Sequence, residues 1–285
     1  MGELRDRMVR EMQLRRFTEG TQRMYLHAVV GLSRHYGRAP DGITPDEVKL
    51  YLHHLLTVRK RNWSTVNTVA AGLRFFFTET LGREEFGRAI PPRRTPQRLP
   101  QILSGEELLR LFEATNNLKH HMLLKTCYAA GLRVSELISL KLTDIDGSRM
   151  LIRVEQGKGQ KDRYTTLSPQ LLDELRAYWR LYRPALWLFA GAHAGDHMGR
   201  NTAGKVYRSA RDKAGIQKPG GIHTLRHCFA THLLEAGVDV RTIQLLMGHG
   251  SIRTTIRYLQ VTRKKLDSTP GLLELLSVPP AGMLT

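Results

Sequence analysis

The spacing of apolar residues is helical along most of the chain, which predicts a mainly α-helical fold with a small β-hairpin or sheet. In the first third of the chain, helices are expected over residues 18–36, 44–58 and 64–81. Thr44, Pro45 and Glu47 supply an N-cap, a first-turn proline and the glutamate of a capping box for the second of these helices. Together these segments favour a small all-helical domain of about four helices.

One pattern in the later part of the chain departs from helical spacing. Residues 150–155 and 163–167 are β-prone and flank the stretch GKGQKD, which predicts a hairpin whose turn carries Lys158. This is the one clear strand pair in the pattern. The remaining segments are expected to be helices, namely one capped by Ser104 and Glu107, residues 121–130 before Gly131, one capped by Ser168 and Pro169, and residues 202–214, 223–236, 239–247 and 251–259.

Residues 88–100, RAIPPRRTPQRLP, interrupt the helical pattern with four prolines among arginines. Such a segment is extended and unable to continue a helix, so it is expected to be a basic linker. The linker is either solvated or lies along DNA phosphates. This division predicts a helical domain over 1–87 and a second domain over 101–285, which ends in a short tail helix at LLELL, residues 272–276.

The charge balance points to a polyanionic partner. The 285 residues carry a formal net charge of +18. An excess of cations attracts nucleic acid and releases its counterions, although a catalytically idle basic surface or a membrane-surface protein has the same balance. The two cysteines, Cys127 and Cys228, lie in apolar helical segments and are expected to be buried free thiols. With no apolar leader and no window of about 18 apolar residues, a cytoplasmic protein without a membrane span is expected.

Six scattered residues carry the candidate chemistry: two arginines, two histidines, a lysine and a tyrosine. They are Arg133, Lys158, His223, Arg226, His249 and Tyr258. The set has no acidic member, so an acidic group is not expected in the site. His223 and Arg226 are three residues apart, which places them on one face of a helix, near an N-terminus that favours a phosphate.

These residue types match the needs of phosphodiester cleavage without a metal. Arg133 and Arg226 can each hold a phosphate through a planar fork of N–H donors. His223 and His249 can share proton transfer and hydrogen bonding. Lys158 can protonate the departing 5′ oxygen, and Tyr258 supplies a nucleophile whose phosphate ester conserves the energy of the broken bond.

Taken singly, each of the six has an ordinary explanation as a surface charge, a core histidine or one more tyrosine. Their joint order and spacing favour the catalytic interpretation. His227, next to Arg226, is expected either to have a structural role or to contact the reacting residues without touching the DNA. Three other classes of protein fit part of this pattern: a metal-dependent nuclease, for which HTLRH lacks the glutamate of a zinc-protease motif, a type IB topoisomerase and a catalytically silent DNA-binding protein.

The sequence resembles the tyrosine recombinase, or phage integrase, family in its simple two-domain form. The matching motifs are AAGLRVSEL with Arg133, GKGQKDR with Lys158, HTLRHCFATHLLEAG with His223 and Arg226, and LMGHGSIRTTIRY with His249 and Tyr258. They cover residues 104–261, and the helical pattern before residue 88 is similar to the family's core-binding domain. The chain departs from many relatives at Gly250 and at 259–260, and neither change removes a reacting group.

The resemblance implies a site-specific recombinase. It implies that Tyr258 joins a 3′ phosphate, that strands are cut one at a time and exchanged through a Holliday junction, and that no nucleotide, metal or other cofactor is needed. The expected partners are double-stranded DNA sites, clamped between the two domains, and three further copies of the chain on synapsed DNA, with a monomer or weak oligomer free in solution. Phage integration, transposon or cassette mobility and chromosome resolution all remain open as biological tasks.

Overall fold

The computed structural model describes residues 2–90, 100–155, 162–193, 195–256 and 258–259. The chain divides into two compact units, Met1–Gln97 and Arg98–Thr285, and the division falls within the predicted linker. Over the described residues the fold is mainly α-helical with one small sheet, as the apolar pattern predicts. No helix in these ranges is both long and apolar enough to span a membrane.

The first unit consists of helices in the residues described. Its α-helices are α1 (Gly2–Leu14), α2 (Glu19–Tyr36), α3 (Pro45–Thr57), α4 (Trp63–Phe75) and α5 (Glu85–Ala89), with a 3₁₀ turn at Pro40–Gly42 and a π-helical turn at Phe76–Thr80. The capping box predicted for α3 is present: the Thr44 hydroxyl accepts from the Glu47 main-chain N–H, and the Thr44 N–H donates to the Glu47 carboxylate at 2.8 Å. The unit has its own core, which includes Leu32, Val48 and Leu73.

Two features of this unit differ from the sequence-based expectation. Helix α1 is not predicted by the apolar pattern because only Met8 and Met12, one turn apart, are buried among charged residues. The helix expected over 64–81 leaves α geometry after Phe75. The Leu81 N–H bonds to the Phe76 carbonyl five residues back, and this wider turn accompanies the burial of Phe76, Phe77 and Thr80.

The second unit combines helices with one small sheet. Its elements are α6 (Gly105–Glu113), α7 (Leu118–Ala129), α8 (Val134–Ile138), a 3₁₀ turn at Leu142–Asp144, β1 (Ile145–Asp146), β2 (Leu151–Val154), β3 (Arg163–Thr166), α9 (Pro169–Tyr182), α10 (Arg200–Lys213), α11 (His223–Glu235), α12 (Val240–Met247) and α13 (Ile252–Ile256). Ser104 and Glu107 form the predicted capping box of α6. Ser168 caps α9, also as predicted.

The sheet has the order β1-β2-β3 and is antiparallel. The predicted hairpin is confirmed, with Leu151 opposite Thr166 and Ile152 opposite Thr165. Strand β1 was not expected and pairs Ile145 with Ile152. The hairpin turn with Lys158, the proline-rich part of the linker (91–99) and the tail at 272–276 lie outside the described residues.

Most buried apolar residues of the second unit belong to one core, in which α7 packs against α9 and α11. Cys127 and Cys228 are buried there as free thiols, as predicted. A smaller cluster lies between α11 and α12. It comprises Phe229, Ala230, Leu234, Ile243, Met247 and Tyr258.

The last predicted helix is shorter than expected. Helix α13 ends at Ile256, and Tyr258 lies in the following turn, where its N–H bonds to the Thr255 carbonyl at 3.0 Å. Thr254, Thr255 and Ile256 are β-branched and lower the helix propensity of this segment. The predicted nucleophile is therefore held by a turn and by the small cluster.

Candidate active site

Arg133 is positioned by a sharp change of chain direction after α7. Gly131 adopts the left-handed conformation with φ of 59°, as predicted for a residue that ends a helix. A Cβ atom at this position would lie 2.3 Å from the Phe229 ring, so the close approach of α11 also requires glycine. Arg133 then becomes the N-cap residue of α8.

Arg133 ties the start of α8 to the end of α12. Its main-chain N–H donates to Glu136 at 2.8 Å, and its Nη1 donates to the same carboxylate at 2.6 Å. Its Nη2 donates to the Gly248 carbonyl at 3.0 Å. The guanidinium therefore lies beside the segment that leads to His249.

Glu136 is a buried acidic residue within the arginine cluster, so the expectation of a site without an acidic group is wrong. Both carboxylate oxygens accept from Arg163 at 2.8 Å, and Arg226 Nη1 lies 3.6 Å away. Burial alone raises the pKa of Glu136, but the hydrogen bonds and charge of Arg163, together with the bonds from Arg133, outweigh it and lower that pKa to about 2. The carboxylate is therefore charged at neutral pH and offsets part of the positive charge.

Glu136 and Arg163 were both missed as site residues. Glu136 belongs to the motif AAGLRVSEL, from which only Arg133 was assigned a role in the chemistry. Arg163 is separated from Glu136 by 27 positions and follows the hairpin turn. No local pattern predicts that contact.

Arg226 lies on the first turn of α11 and is buried. Its two terminal nitrogens donate to the main-chain carbonyls of Gly131 and Met247. Burial lowers the pKa of Arg226 to about 10, and the charge of Arg133 contributes. The guanidinium stays protonated at neutral pH, and these two bonds engage two of its five N–H groups.

His223 is the first residue of α11, three positions before Arg226, as predicted. Its side chain is exposed at the edge of the site. Desolvation lowers the pKa of His223, and the charges of Arg226, Arg200 and Arg133 lower it further. These shared charges place His223 in the same cationic environment as the two arginines.

His249 follows the left-handed Gly248 that ends α12. Its Nδ1 lies 2.9 Å from the Thr255 hydroxyl, and its main-chain N–H donates to Gln244 at 3.1 Å. Burial lowers the pKa of His249 to about 3, and the charges of Arg226 and Arg133 act in the same direction. The imidazole is therefore neutral at pH 7.

Tyr258 is only 2% exposed and lies beside His249, with nearly parallel rings whose centroids are 6.4 Å apart. Its hydroxyl lies 2.9 Å from Nδ1 of His227. The expectation that His227 is a structural or supporting group did not include this contact. The one sequence signal was its position one turn beyond His223 in HTLRH.

The structure thus brings five of the six predicted residues into one region and leaves the sixth, Lys158, outside the described residues. Among the described residues, no group of three or more His, Cys, Asp and Glu side chains has the arrangement of a metal site. The catalytic roles of the six residues remain predictions.

Two profiles of known families match the chain, one in each unit. The profile of the phage integrase family matches residues 101–265. This chain belongs to the phage integrase family. The profile of the phage integrase N-terminal SAM-like domain matches residues 4–85, in the helical first unit.

Relatives of this integrase-family chain are named as integrases or recombinases. The Sinorhizobium fredii protein y4qK, which has a provisional integrase/recombinase name, is 48% identical over 280 residues, covering 98% of this chain and 91% of y4qK. Tyrosine recombinase XerA of Pyrococcus horikoshii is 32% identical over 260 residues, covering 90% of this chain and 88% of XerA. The chain is a site-specific recombinase of the tyrosine type.

Solved structures of lambda integrase share the fold. The fragment 75–356, solved as a dimer bound to a COC′ core site, has a TM-score of 0.74 and 19% identity, covering 90% of this chain and 94% of that one. Lambda integrase has also been solved as a tetramer bound to a Holliday junction, with a TM-score of 0.72 and 18% identity, covering 89% and 76% of the two chains.

Proposed function

We propose that this recombinase cuts and rejoins double-stranded DNA at specific sites through a covalent 3′-phosphotyrosine at Tyr258. One observation carries the proposal: Arg133, Arg226 and Tyr258 all lie close to the end of α12. The Met247 carbonyl accepts from Arg226 and the Gly248 carbonyl accepts from Arg133, while the ring of the next residue, His249, lies beside Tyr258. A nucleophile and two permanent cations in one place suit a phosphodiester.

In the proposed reaction, the Tyr258 oxygen attacks phosphorus and the bond from phosphorus to the 5′ oxygen breaks. Arg133 and Arg226 stabilise the charge that develops on the nonbridging oxygens. Lys158 protonates the departing oxygen, an assignment that rests on the sequence motif alone. Attack by a 5′ hydroxyl reverses these steps and rejoins the strand, with no metal or nucleotide required.

The two histidines act as hydrogen-bonding groups to the phosphate. His249 is neutral at pH 7 because its pKa is about 3, so it contributes a directed hydrogen bond rather than a charge. With Nδ1 engaged by Thr255, its Nε2 is the atom that is oriented for a phosphate oxygen. His223, at the exposed edge of the same cationic environment, completes the contacts to the phosphate.

The proposed assembly is a homotetramer on two synapsed sites that exchanges strands through a Holliday junction. The fold shared with lambda integrase, which has been solved as a tetramer on such a junction, supports it. The net charge of +18 supports DNA contact by both the helical domain (1–87) and the catalytic domain (101–285), joined by the basic linker (88–100). The proposed setting is the cytoplasm, and integration or movement of a mobile element and chromosome resolution all fit the reaction.

Covalent trapping tests the proposal. DNA ends that become attached to the protein in its host are mapped first and supply the recombination site. A duplex carrying that site with a nick beside the cleavage position then serves as a suicide substrate, because the released fragment diffuses away and religation stops. Wild-type protein is expected to form a denaturant-resistant adduct, and Tyr258→Phe is expected to form none while still binding the site.

Tyr128→Phe is the matched control, since the Tyr128 hydroxyl also contacts a histidine of α11, His232, at 3.0 Å. This variant should form the adduct at the wild-type rate. An adduct that persists in Tyr258→Phe would contradict the assignment of the nucleophile. DNA cleavage that leaves no adduct and is lost in EDTA would favour a metal-dependent nuclease, and relaxation of supercoils by a monomer without strand exchange would favour a topoisomerase.

A further inference from the structure

We propose that His227 is a further catalytic residue, which accepts the proton of the Tyr258 hydroxyl as that oxygen attacks the phosphate. The inference rests on the proposed function, because it concerns how the same nucleophile is activated. It adds a residue that the six-residue motif does not contain.

The contact between the two side chains is the first observation. His227 Nδ1 and the Tyr258 hydroxyl oxygen are 2.9 Å apart, and the ring centroids are separated by 5.8 Å. This is the distance expected between a nucleophile and its base. Because Tyr258 is only 2% exposed, its hydroxyl is largely sheltered from bulk water, and His227 is in place as an acceptor before DNA arrives.

The position of the other histidines is the second observation. His249 stacks beside Tyr258, but its Nδ1 is 2.9 Å from the Thr255 hydroxyl, which engages that nitrogen. His223 lies one turn before His227 at the exposed edge of the site. The geometry therefore gives the histidines different partners: His223 and His249 bind the phosphate, and His227 binds the hydroxyl of Tyr258.

The surroundings of the pair are strongly ionic, and several elements contribute. His223 and Arg226 lie on the same helix as His227, and His249 comes from the turn after α12. Three further charged groups come from the start of α8 and from β3, namely Arg133, Glu136 and Arg163. A phosphate that enters between these cations brings the negative charge that balances a protonated His227 during the attack.

The proposed step is balanced. The proton moves from the Tyr258 oxygen to Nδ1 of His227, the bond from that oxygen to phosphorus forms, and the bond from phosphorus to the 5′ oxygen breaks. The 5′ oxygen receives its proton from the acid that the proposed function assigns to Lys158. On religation His227 returns its proton to Tyr258. A phenol with an ordinary pKa of about 10 is less than about 1% ionised at pH 7, so an acceptor contributes substantially.

Single-turnover cleavage of the suicide substrate tests the inference with two variants. His227→Phe removes the acceptor, and His227→Asn keeps a hydrogen-bonding oxygen near the position of Nδ1 but cannot take up a proton. Both are expected to cleave about 10²-fold more slowly at pH 7. The deficit should shrink as the pH rises, because a phenol that ionises into solvent needs no acceptor. Rate constants are compared, because they do not depend on the folded fraction.

His232→Phe and His232→Asn are the matched controls. His232 lies on the same helix and contacts a tyrosine hydroxyl through Nδ1, but that partner is Tyr128, outside the site. These variants should cleave within about twofold of the wild-type rate, since no proton transfer is lost.

Two results would overturn the inference while the proposed function stands. If His227→Asn cleaves as fast as wild type with the same pH dependence, His227 accepts no proton. If His227→Phe is slow but His227→Asn is not, His227 only positions Tyr258. In either case adduct formation by wild type and its loss in Tyr258→Phe still support the phosphotyrosine. Absence of the wild-type adduct would instead reject the proposed function.

Discussion

Arg163 and Glu136 form a two-pronged ion pair inside the second unit, with Nη1 2.8 Å from Oε1 and Nη2 2.8 Å from Oε2. The exposed fractions of the two side chains are 9% and 6%. Arg163 also donates Nε to the Leu246 carbonyl at 2.9 Å. One guanidinium thus joins β3, α8 and the end of α12, which are the elements that hold Arg133 and His249.

Arg163→Lys is expected to destabilise the protein by about 2 kcal/mol and to slow cleavage. Lysine keeps the positive charge, so the loss of stability is smaller than when one partner of a buried ion pair is removed. It cannot, however, make the two bonds to Glu136 and the bond to the Leu246 carbonyl at the same time. Urea unfolding measures the stability, and the suicide substrate measures the rate.

Arg176→Lys is the matched control for that substitution. Arg176 pairs with Asp173 on α9, where both side chains are more than half exposed. Its replacement should change stability by less than about 0.5 kcal/mol, since exposed pairs contribute little. Equal effects of the two substitutions would contradict a structural role for the Arg163 bonds.

The parts of the fold that the sequence predicts are those with local causes. Each of the two capping boxes, Thr44 with Glu47 and Ser104 with Glu107, spans four residues. Each can therefore be predicted from the local sequence without knowledge of the rest of the chain. The hairpin can also be predicted from the local sequence, because its two strands are close together along the chain. Helix α1 was missed because its buried face consists of only Met8 and Met12. Two apolar positions are too few to form a recognisable helical pattern among the charged residues.

The candidate site divides in the same way. Arg133, His223, Arg226, His249 and Tyr258 were found because each stands in a recognisable motif. The contacts that complete the site join distant positions: Glu136 with Arg163 and His227 with Tyr258. Such contacts depend on how helices and strands pack in three dimensions, and no periodicity along the chain encodes them.

The depressed pKa of His249 makes the folded protein sensitive to acid. That pKa is about 3 in the folded chain and about 6.5 in an unfolded one, so between these values the unfolded state binds one proton more than the folded state. Stability therefore falls as the pH falls through 6.5. From pH 7 to pH 5, His249 is expected to account for a loss of about 2 kcal/mol.

His249→Gln tests this dependence because glutamine does not titrate. Urea unfolding at pH 7 and pH 5 should show a loss that is smaller in the variant than in wild type by about 2 kcal/mol. His53→Gln, which changes an exposed histidine of the first unit, should leave the wild-type loss unchanged. An equal loss in all three proteins would show that His249 is not the group responsible.

The two cysteines should resist alkylation in the native protein. Burial raises the pKa of Cys127 to about 12 and that of Cys228 to about 11, and the thiolate is the reactive form. With iodoacetamide at pH 8, mass spectrometry should find an unmodified native chain and a doubly modified chain in urea. Rapid labelling of either cysteine without denaturant would contradict its burial.

Gly131→Ala should be costlier than an equivalent substitution elsewhere because the position combines a positive φ with a tight contact. Gly131 has φ of 59°, and an added Cβ would lie 2.3 Å from the buried ring of Phe229. Gly215 has a similar φ of 66°, but no atom lies within 4 Å of the added Cβ. Gly215→Ala should therefore show only the backbone cost of about 1 kcal/mol, whereas Gly131→Ala should add about 1–3 kcal/mol from overpacking.

The same pair of variants separates stability from placement of the site. The Gly131 carbonyl accepts from Arg226, and Arg133 follows two residues later, so a shift of this turn moves both guanidiniums. Single-turnover cleavage, measured under conditions where both variants remain folded, should fall at least about tenfold in Gly131→Ala and stay near wild type in Gly215→Ala, because displacing positioned charges weakens transition-state stabilisation. Normal cleavage by a folded Gly131→Ala protein would mean that the turn can yield without moving the arginines. The placement of Arg133 and Arg226 would then depend on their other bonds, those of Arg133 to Glu136 and Gly248 and that of Arg226 to Met247.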